Sequence, residues 1–199
     1  MIVEHQGAAP HIDPTAVVAS TAVVSGDVTI GPGCQVLHGA VITAEGGRIV
    51  LGSSVIVMEN AVIRSSEANP VQIGDNCLIG PLSSISGATI GEQVFIATGV
   101  RVFNGAEIDS NSEVRINAVV HLRTHLPEGS TVPIGWVAVG DPAQILPAER
   151  HEEIWAIQQE LDFPGYVFGL DRSTPDLMVQ LTERYAARLA QHRNDREID

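Results

Sequence analysis

An aliphatic residue recurs every six positions over about the first two thirds of the chain, and this period constrains the fold more than any other feature. The repeat begins at Ile12, ends at Val132 and is interrupted at residues 43–50 and 65–72. Its twenty members, called here the hexad aliphatics, are Ile12, Val18, Val24, Ile30, Val36, Ile42, Leu51, Val57, Ile63, Ile73, Ile79, Ile85, Ile90, Ile96, Val102, Ile108, Val114, Val120, Leu126 and Val132. A period of six fits neither an amphipathic helix nor the simple alternation of long strands. It indicates short strands separated by regular turns.

A second column of small or β-branched residues follows four positions after most hexad aliphatics. Its members are Ala16, Ala22, Val28, Cys34, Ala40, Val55, Ala61, Cys77, Ser83, Val94, Val100, Ala106, Ser112, Ala118 and Thr124. Side chains two apart in a strand share a face, so each small residue and the next aliphatic point inward together. Such short strands bury an inner face only when copies stack. The sequence therefore predicts an all-β core, a parallel β-helix of about seven triangular coils, with Cys34 and Cys77 as core residues.

The composition excludes several classes of protein. Acidic residues outnumber basic ones 24 to 11, every basic residue is Arg, and the formal net charge is −13. This charge argues against nucleic acid and against anionic membranes as partners. No apolar run approaches the roughly 18–20 residues of a membrane-spanning helix. With no visible signal peptide and only two cysteines, the expected location is the cytoplasm.

The composition changes after residue 143. We expect a β-helix domain over residues 1–143 and a helical appendage over residues 144–199. The appendage is predicted to hold a helix at about 147–161, an aromatic linker at 163–169 and a second helix at about 175–192, with a frayed end from residue 193. These helices are expected to pack on the β-helix or on a neighbouring subunit, or to form a lid or partner-binding arm with Tyr166 and Phe168.

Five stretches carry a more specific resemblance. They are residues 40–45, 55–64, 79–81, 85–91 and the ending 139–143, which is followed by a helix. Their order and spacing, including the one-residue slip between Ile85 and Ile90, are similar to those of the γ-class carbonic anhydrases of the hexapeptide-repeat superfamily. The resemblance covers about residues 10–162. It implies a left-handed β-helix, a homotrimer and a zinc site in a pocket between subunits.

The zinc-binding histidines of that family fall on Arg64, Pro81 and Ser86, none of which supplies an imidazole. The family's arginine falls on Thr43 and its aspartate partner on Glu45. Glu59 keeps the acidic character of the last residue of the family's T-N-I-Q-D motif. Zinc hydration chemistry needs a metal that lowers the pKa of bound water. We therefore expect no zinc, no other cofactor and no carbonic anhydrase activity.

Arg64 admits two interpretations. Its guanidinium could replace the metal as the cation of the vestigial pocket and, with Glu59, Glu45 and Ser86, bind a small anion at a subunit junction. It could instead only form an ion pair with Glu59 or Glu45.

Two other functions stay open. Many hexapeptide-repeat proteins are acyltransferases that use a histidine base, and His38 and His121 are the candidates here, with acetyl-CoA as the cosubstrate. These histidines belong to the second and sixth coils, roughly 19 Å apart, so they cannot share a metal ion. A structural or assembly subunit that uses its C-terminal helices is the third possibility.

Overall fold

The computed structural model describes residues 1–198, and in this range the chain is a parallel β-helix followed by helices. Its strands are β1 (Ile2–Glu4), β2 (His11–Ile12), β3 (Val17–Val18), β4 (Val23–Ser25), β5 (Val28–Ile30), β6 (Gln35–Val36), β7 (Val41–Glu45), β8 (Ile49–Leu51), β9 (Ile56–Val57), β10 (Val62–Ser66), β11 (Val71–Ile73), β12 (Leu78–Ile79), β13 (Ser84–Ser86), β14 (Thr89–Ile90), β15 (Phe95–Ile96), β16 (Arg101–Val102), β17 (Glu107–Ile108), β18 (Glu113–Val114), β19 (Val119–Val120), β20 (His125–Leu126), β21 (Thr131–Val132), β22 (Trp136–Val139), β23 (Gln144–Pro147) and β24 (Arg196–Ile198). Its α-helices are α1 (His151–Gln158), α2 (Phe163–Phe168) and α3 (Leu177–Leu189), and 3-10 turns follow α1 at Gln159–Leu161 and α3 at Ala190–Asn194.

Strands β2 to β22 wind into seven coils of three strands, because each strand pairs in parallel with the strand three places later. The result is a prism with three faces. Face 1 holds β2, β5, β8, β11, β14, β17 and β20; face 2 holds β3, β6, β9, β12, β15, β18 and β21; face 3 holds β4, β7, β10, β13, β16, β19 and β22, together with β1. The predicted parallel β-helix of hexapeptide repeats with C-terminal α-helices is confirmed.

The hexad aliphatics form the core. Every one from Val24 to Val132 is at most 2 % exposed, and the small column between them is buried from Ala22 onward. The thiols of Cys34 and Cys77 each donate a hydrogen bond to a backbone carbonyl of the adjacent coil, Gly52 and Gly91, at 3.0 Å. Burial raises the pKa of both thiols, so both stay neutral packing residues.

At each of the two interruptions of the repeat, the strand on face 3 is longer than in the other coils. Strands β7 and β10 each have five residues and pair along their whole length, from Val41 with Val62 to Glu45 with Ser66. The turn after β7 then passes so close to β10 that a Cβ atom on Gly47 would lie 2.0 Å from the Ser66 carbonyl oxygen. These extensions carry residues 43–45 and 64–66 beyond the regular hexads on one edge of the prism.

The appendage departs from the sequence-based expectation at three places. Residues 144–147 form β23, antiparallel to β22, so helix α1 begins at His151 and not near Pro147. The predicted linker at 163–169 is mostly helix α2, with Pro164 in the first turn and Gly169 closing it at a φ of 65°.

The chain end is the third departure. Residues 196–198 do not fray but form β24, which pairs antiparallel with β1, and the Arg196 guanidinium lies 2.7 Å from the Glu4 carboxylate. Local sequence could not predict this pairing, because the two strands are nearly the whole chain apart. Asp199 lies outside the described residues. Within residues 1–198, no helix has both the length and the apolar character to cross a bilayer.

Candidate functional site

A column of polar residues runs up face 3, each member one position after a hexad aliphatic and therefore pointing outward. Ser25 pairs with Thr43, Thr43 with Arg64, and Arg64 with Ser86 in successive strands. The positions that the resemblance assigns to an arginine and to two zinc-binding histidines are thus neighbours in one chain. Pro81 lies apart from them, in the turn between β12 and β13.

Helices α2 and α3 lie over this column and enclose a cleft of about 310 Å³. Its lining includes Glu45, Arg64, Ser86, Phe103, Phe163, Phe168, Arg184, Tyr185 and Arg188. Three of the four predicted site residues therefore line one cleft, which is formed between the β-helix and the helices of the same chain. The fourth, Glu59, lies in the exposed turn after β9. Strand β9 belongs to face 2, so Glu59 lies at another corner of the prism and outside the cleft lining.

The Arg64 guanidinium is held in place but not fully neutralised. Its Nη1 donates a hydrogen bond to the Tyr185 hydroxyl at 2.6 Å. Its Nη2 lies 3.8 Å from the Glu45 carboxylate, a long separation for an ion pair, and 40 % of the Arg64 side chain is exposed. Donors of this guanidinium therefore remain available to a ligand in the cleft.

Glu45 is the buried acid of the site, with 7 % of its side chain exposed. Its carboxylate accepts hydrogen bonds from the Thr43 hydroxyl and from Nε2 of His192, each at 3.1 Å. Its backbone carbonyl accepts a hydrogen bond from the Arg188 guanidinium. Glu45 thus ties α3 and the chain end to the edge of the β-helix.

His5, His192 and Asp195 form a second cluster beside Glu45, named here the tail clasp. The Asp195 carboxylate bonds Nδ1 of His5 at 2.6 Å with one oxygen and Nδ1 of His192 at 2.8 Å with the other. The imidazole rings stack with centroids 4.3 Å apart and planes at 20°. Although the three potential ligand atoms lie within 4.8 Å of one another, nearly parallel rings do not aim two lone pairs at one ion. The arrangement fits a hydrogen-bonded clasp better than a metal site.

The clasp is predicted to weaken at alkaline pH. The hydrogen bond with Asp195 raises the pKa of His192, and the charge of Glu45 adds to that effect. Burial raises the pKa of Asp195, but the hydrogen bonds from His5 and His192 outweigh it, so this pKa lies below its usual value. His192 therefore stabilises the fold fully below about pH 6.5, and this contribution is lost as the pH rises through its raised pKa. Asp195 contributes above about pH 3.9 and loses its effect only in stronger acid.

Amide hydrogen exchange tests this prediction. Amide protection factors of residues 190–198, corrected for intrinsic exchange, should fall when the pH is raised from about 5.5 to about 8.5 across the raised His192 pKa. The Asp195→Asn variant should show a smaller fall, because it lacks the charged partner. Protection that stays constant or rises with pH would contradict the assignment.

The structure does not bring His38 and His121 together. His38 lies at an exposed corner, with Nδ1 2.8 Å from the Thr21 hydroxyl. His121 continues the face 3 column beyond Phe103, whose ring lies 5.6 Å away. Burial lowers the pKa of His121, so its imidazole is neutral near pH 7, and its buried Nδ1 has no hydrogen-bond partner within the described chain.

Sequence reasoning missed the contribution of α3 to the cleft. Arg184, Tyr185 and Arg188 come from this helix, and His192 from the turn that follows it. The available signal was a stripe of Leu177, Leu181, Tyr185 and Leu189 at intervals of four, which predicts a packed helix face without naming the surface beneath it.

Comparison with known proteins places this architecture in a family. The family described as "Bacterial transferase hexapeptide (six repeats)" matches residues 70–104. Gamma carbonic anhydrase 1, mitochondrial, of Arabidopsis thaliana is 31 % identical over 157 residues, which cover 76 % of this chain and 55 % of that protein. The chain thus spans about half the length of this plant relative.

A second relative is matched over most of its length. The probable carbonic anhydrase of Methanocaldococcus jannaschii is 31 % identical over 142 residues, covering 71 % of this chain and 86 % of that protein. The crystal structure of a hexapeptide transferase family protein from Anaplasma phagocytophilum shares the fold, with a TM-score of 0.55, 22 % identity and 96 % of each chain covered. The repeat, the fold and these relatives together show that the chain belongs to the γ-class carbonic anhydrase-like family of hexapeptide-repeat proteins.

Proposed function

We propose that this protein keeps the fold of its family without the zinc site and binds a small anion in the cleft over Arg64. The observation that carries the proposal is a half-exposed guanidinium at a position where the family resemblance places an imidazole ligand. A permanent cation there repels a metal dication and attracts a carboxylate.

The donor set at the three ligand positions does not fit zinc. Zinc sites in proteins use imidazole nitrogen, thiolate sulfur or carboxylate oxygen. Arg64 offers only donors, Pro81 has no side-chain ligand atom, and Ser86 has a neutral hydroxyl. Without the metal there is no zinc-bound hydroxide, so carbonic anhydrase activity is expected to be absent.

The charge distribution favours an anionic ligand. The chain has a net charge of −13 and only 11 basic residues, yet three of these, Arg64, Arg184 and Arg188, line a cleft to which residues 1–198 contribute a single acid, Glu45. Three cations beside one carboxylate create a local positive potential in the cleft.

Isothermal titration calorimetry with acetate and with bicarbonate tests the proposal. The wild-type protein should bind at least one of these anions, and the Arg64→Gln variant should bind it several-fold more weakly. Arg48→Gln is the matched control, because Arg48 is exposed beside Asp27 and is not among the residues that line the cleft. Equal binding by wild type and Arg64→Gln, or no binding of any anion by the wild type, would refute the proposal.

A homotrimer is proposed as the working assembly, as the resemblance implies. Support comes from face 2, where successive strands bring Ile56, Leu78 and Phe95 into register on the outer surface. Ile56 and Phe95 are 37 % and 42 % exposed, and such an apolar stripe is typical of a surface covered by another subunit. Sedimentation equilibrium that gives the mass of one chain would contradict the trimer.

Acyl transfer remains the alternative function. For this function, the environment of His121 makes it a better candidate base than His38. A half-buried, neutral imidazole whose buried Nδ1 has no hydrogen-bond partner within the described chain suits a general base. Release of free thiol from acetyl-CoA in the presence of amine or alcohol acceptors, lost in His121→Ala, would support this alternative. No release with the wild type would count against it.

A further inference from the structure

We infer that the ligand of the Arg64 cleft is an aromatic monocarboxylate. The inference rests on the proposed anion-binding function and adds to it the chemical class of the ligand. It follows from the walls of the cleft, from the arrangement of its charges and from its size.

Much of the cleft wall is aromatic. Three of the four Phe residues of the chain, Phe103, Phe163 and Phe168, line this one cleft with Tyr185. Phe103 meets Phe163 edge to face at 6.3 Å, Phe163 meets Phe168 at 5.9 Å, and Phe168 meets Tyr185 at 6.0 Å. Such a chain of edge-to-face contacts offers both ring faces and ring edges to a further ring, and an aromatic ligand can extend it.

Arg64 and Arg184 line the same cleft as these rings and offer donors to a carboxylate. Tyr185 links the aromatic wall to the cations, because its ring contacts Phe168 while its hydroxyl accepts a hydrogen bond from Arg64. Among residues 1–198, the Arg184 side chain makes one hydrogen bond, at the distance limit, from Nη1 to the Gly169 carbonyl at 3.5 Å. The planar donor pairs of Arg64 and Arg184 therefore suit the two oxygens of a carboxylate.

Glu45 limits the charge of the ligand. Its buried carboxylate lies 3.8 Å from Arg64 and so stands close to any anion bound there. Each further negative charge on a ligand would add repulsion from this group, so a monoanion is favoured over a phosphate dianion. The cleft volume of about 310 Å³ is at the small end for ligand pockets, which fits one ring with a short acid side chain.

Calorimetric titration with 3-phenylpropanoate tests the inference, using 3-cyclohexylpropanoate, 3-phenylpropanamide, acetate and inorganic phosphate as comparison ligands. We expect the phenyl acid to bind about fivefold more tightly than the cyclohexyl acid, from aromatic contacts. We expect the neutral amide to bind at least about tenfold more weakly than the phenyl acid, because it loses the charge-assisted hydrogen bonds.

Variants assign the binding to the cleft. Phe163→Leu should reduce the preference for phenyl over cyclohexyl, and Arg184→Gln should weaken both acids. Arg172→Gln should leave both unchanged, because Arg172 lies over Trp155 and outside the cleft lining. Thermal unfolding of each variant checks that the fold is intact.

The possible failures are distinguishable. If acetate or phosphate binds through Arg64 while the phenyl acid has no advantage over the cyclohexyl acid, the aromatic inference is overturned and the proposed function stands. If the amide binds as well as the acid, the carboxylate inference is overturned. If no anion binds the wild type, both the inference and the proposed function are overturned.

Discussion

Replacing Ile63 with Ala is expected to lower the free energy of unfolding by about 2–5 kcal/mol, the usual cost of truncating a buried Ile. Ile63 is fully buried in β10 and lies in register between Ile42 and Ile85 of the adjacent coils. The neighbouring coils are fixed by their own hydrogen bonds, so they cannot collapse into the space left by the side chain. Denaturation in urea, followed by circular dichroism, gives the measurement.

The matched control is Ile134→Ala. The Ile134 side chain is 62 % exposed in the turn after β21, so the same truncation should change the unfolding free energy by less than about 0.5 kcal/mol. Equal losses at the two positions would contradict the assignment of the hexad aliphatics to the core.

Replacing Glu45 with Gln is expected to strengthen anion binding about tenfold. Two like charges about 6 Å apart repel by roughly 3 kcal/mol at an effective dielectric constant near 20, and solvent at the open side of the cleft reduces this to about half, close to a factor of ten in affinity. The substitution also frees the Arg64 guanidinium from its neighbouring acid. Calorimetry with acetate, under the conditions used for the wild type, measures the change.

Glu92→Gln makes the same change of charge at an exposed turn and should leave the affinity unaltered. Because Glu45 also bonds His192, circular dichroism must establish that the variant is folded at the pH of the titration. Weaker binding by folded Glu45→Gln would mean that Glu45 attracts the ligand and does not compete with it.

The period-six pattern was sufficient to predict the β-helix, its core and its coil number, because each repeat is a local signal that is reinforced by stacking. The resemblance singles out Thr43, Arg64 and Ser86, and the register places each of them one position after a hexad aliphatic. It also explains why Glu59 points elsewhere. Local patterns therefore determined the part of the site that lies on the prism.

The remainder of the site depends on contacts between distant parts of the chain. Arg64 and Tyr185 are 121 residues apart, and His5 and Asp195 are 190 residues apart. No local propensity links such pairs. The predicted linker at 163–169 is wrong for another reason: Pro and Gly usually mark irregular segments, whereas Pro164 and Gly169 here begin and end a short helix.

The central claim is that a guanidinium stands where the family resemblance places a zinc ligand. Anomalous diffraction at the zinc edge, from crystals grown with zinc and acetate, tests it most directly. The account predicts an ordered Arg64 side chain in contact with Tyr185 and no anomalous peak beside Ser86. A zinc ion bound near Ser86, at about 2 Å from protein ligand atoms, would contradict it.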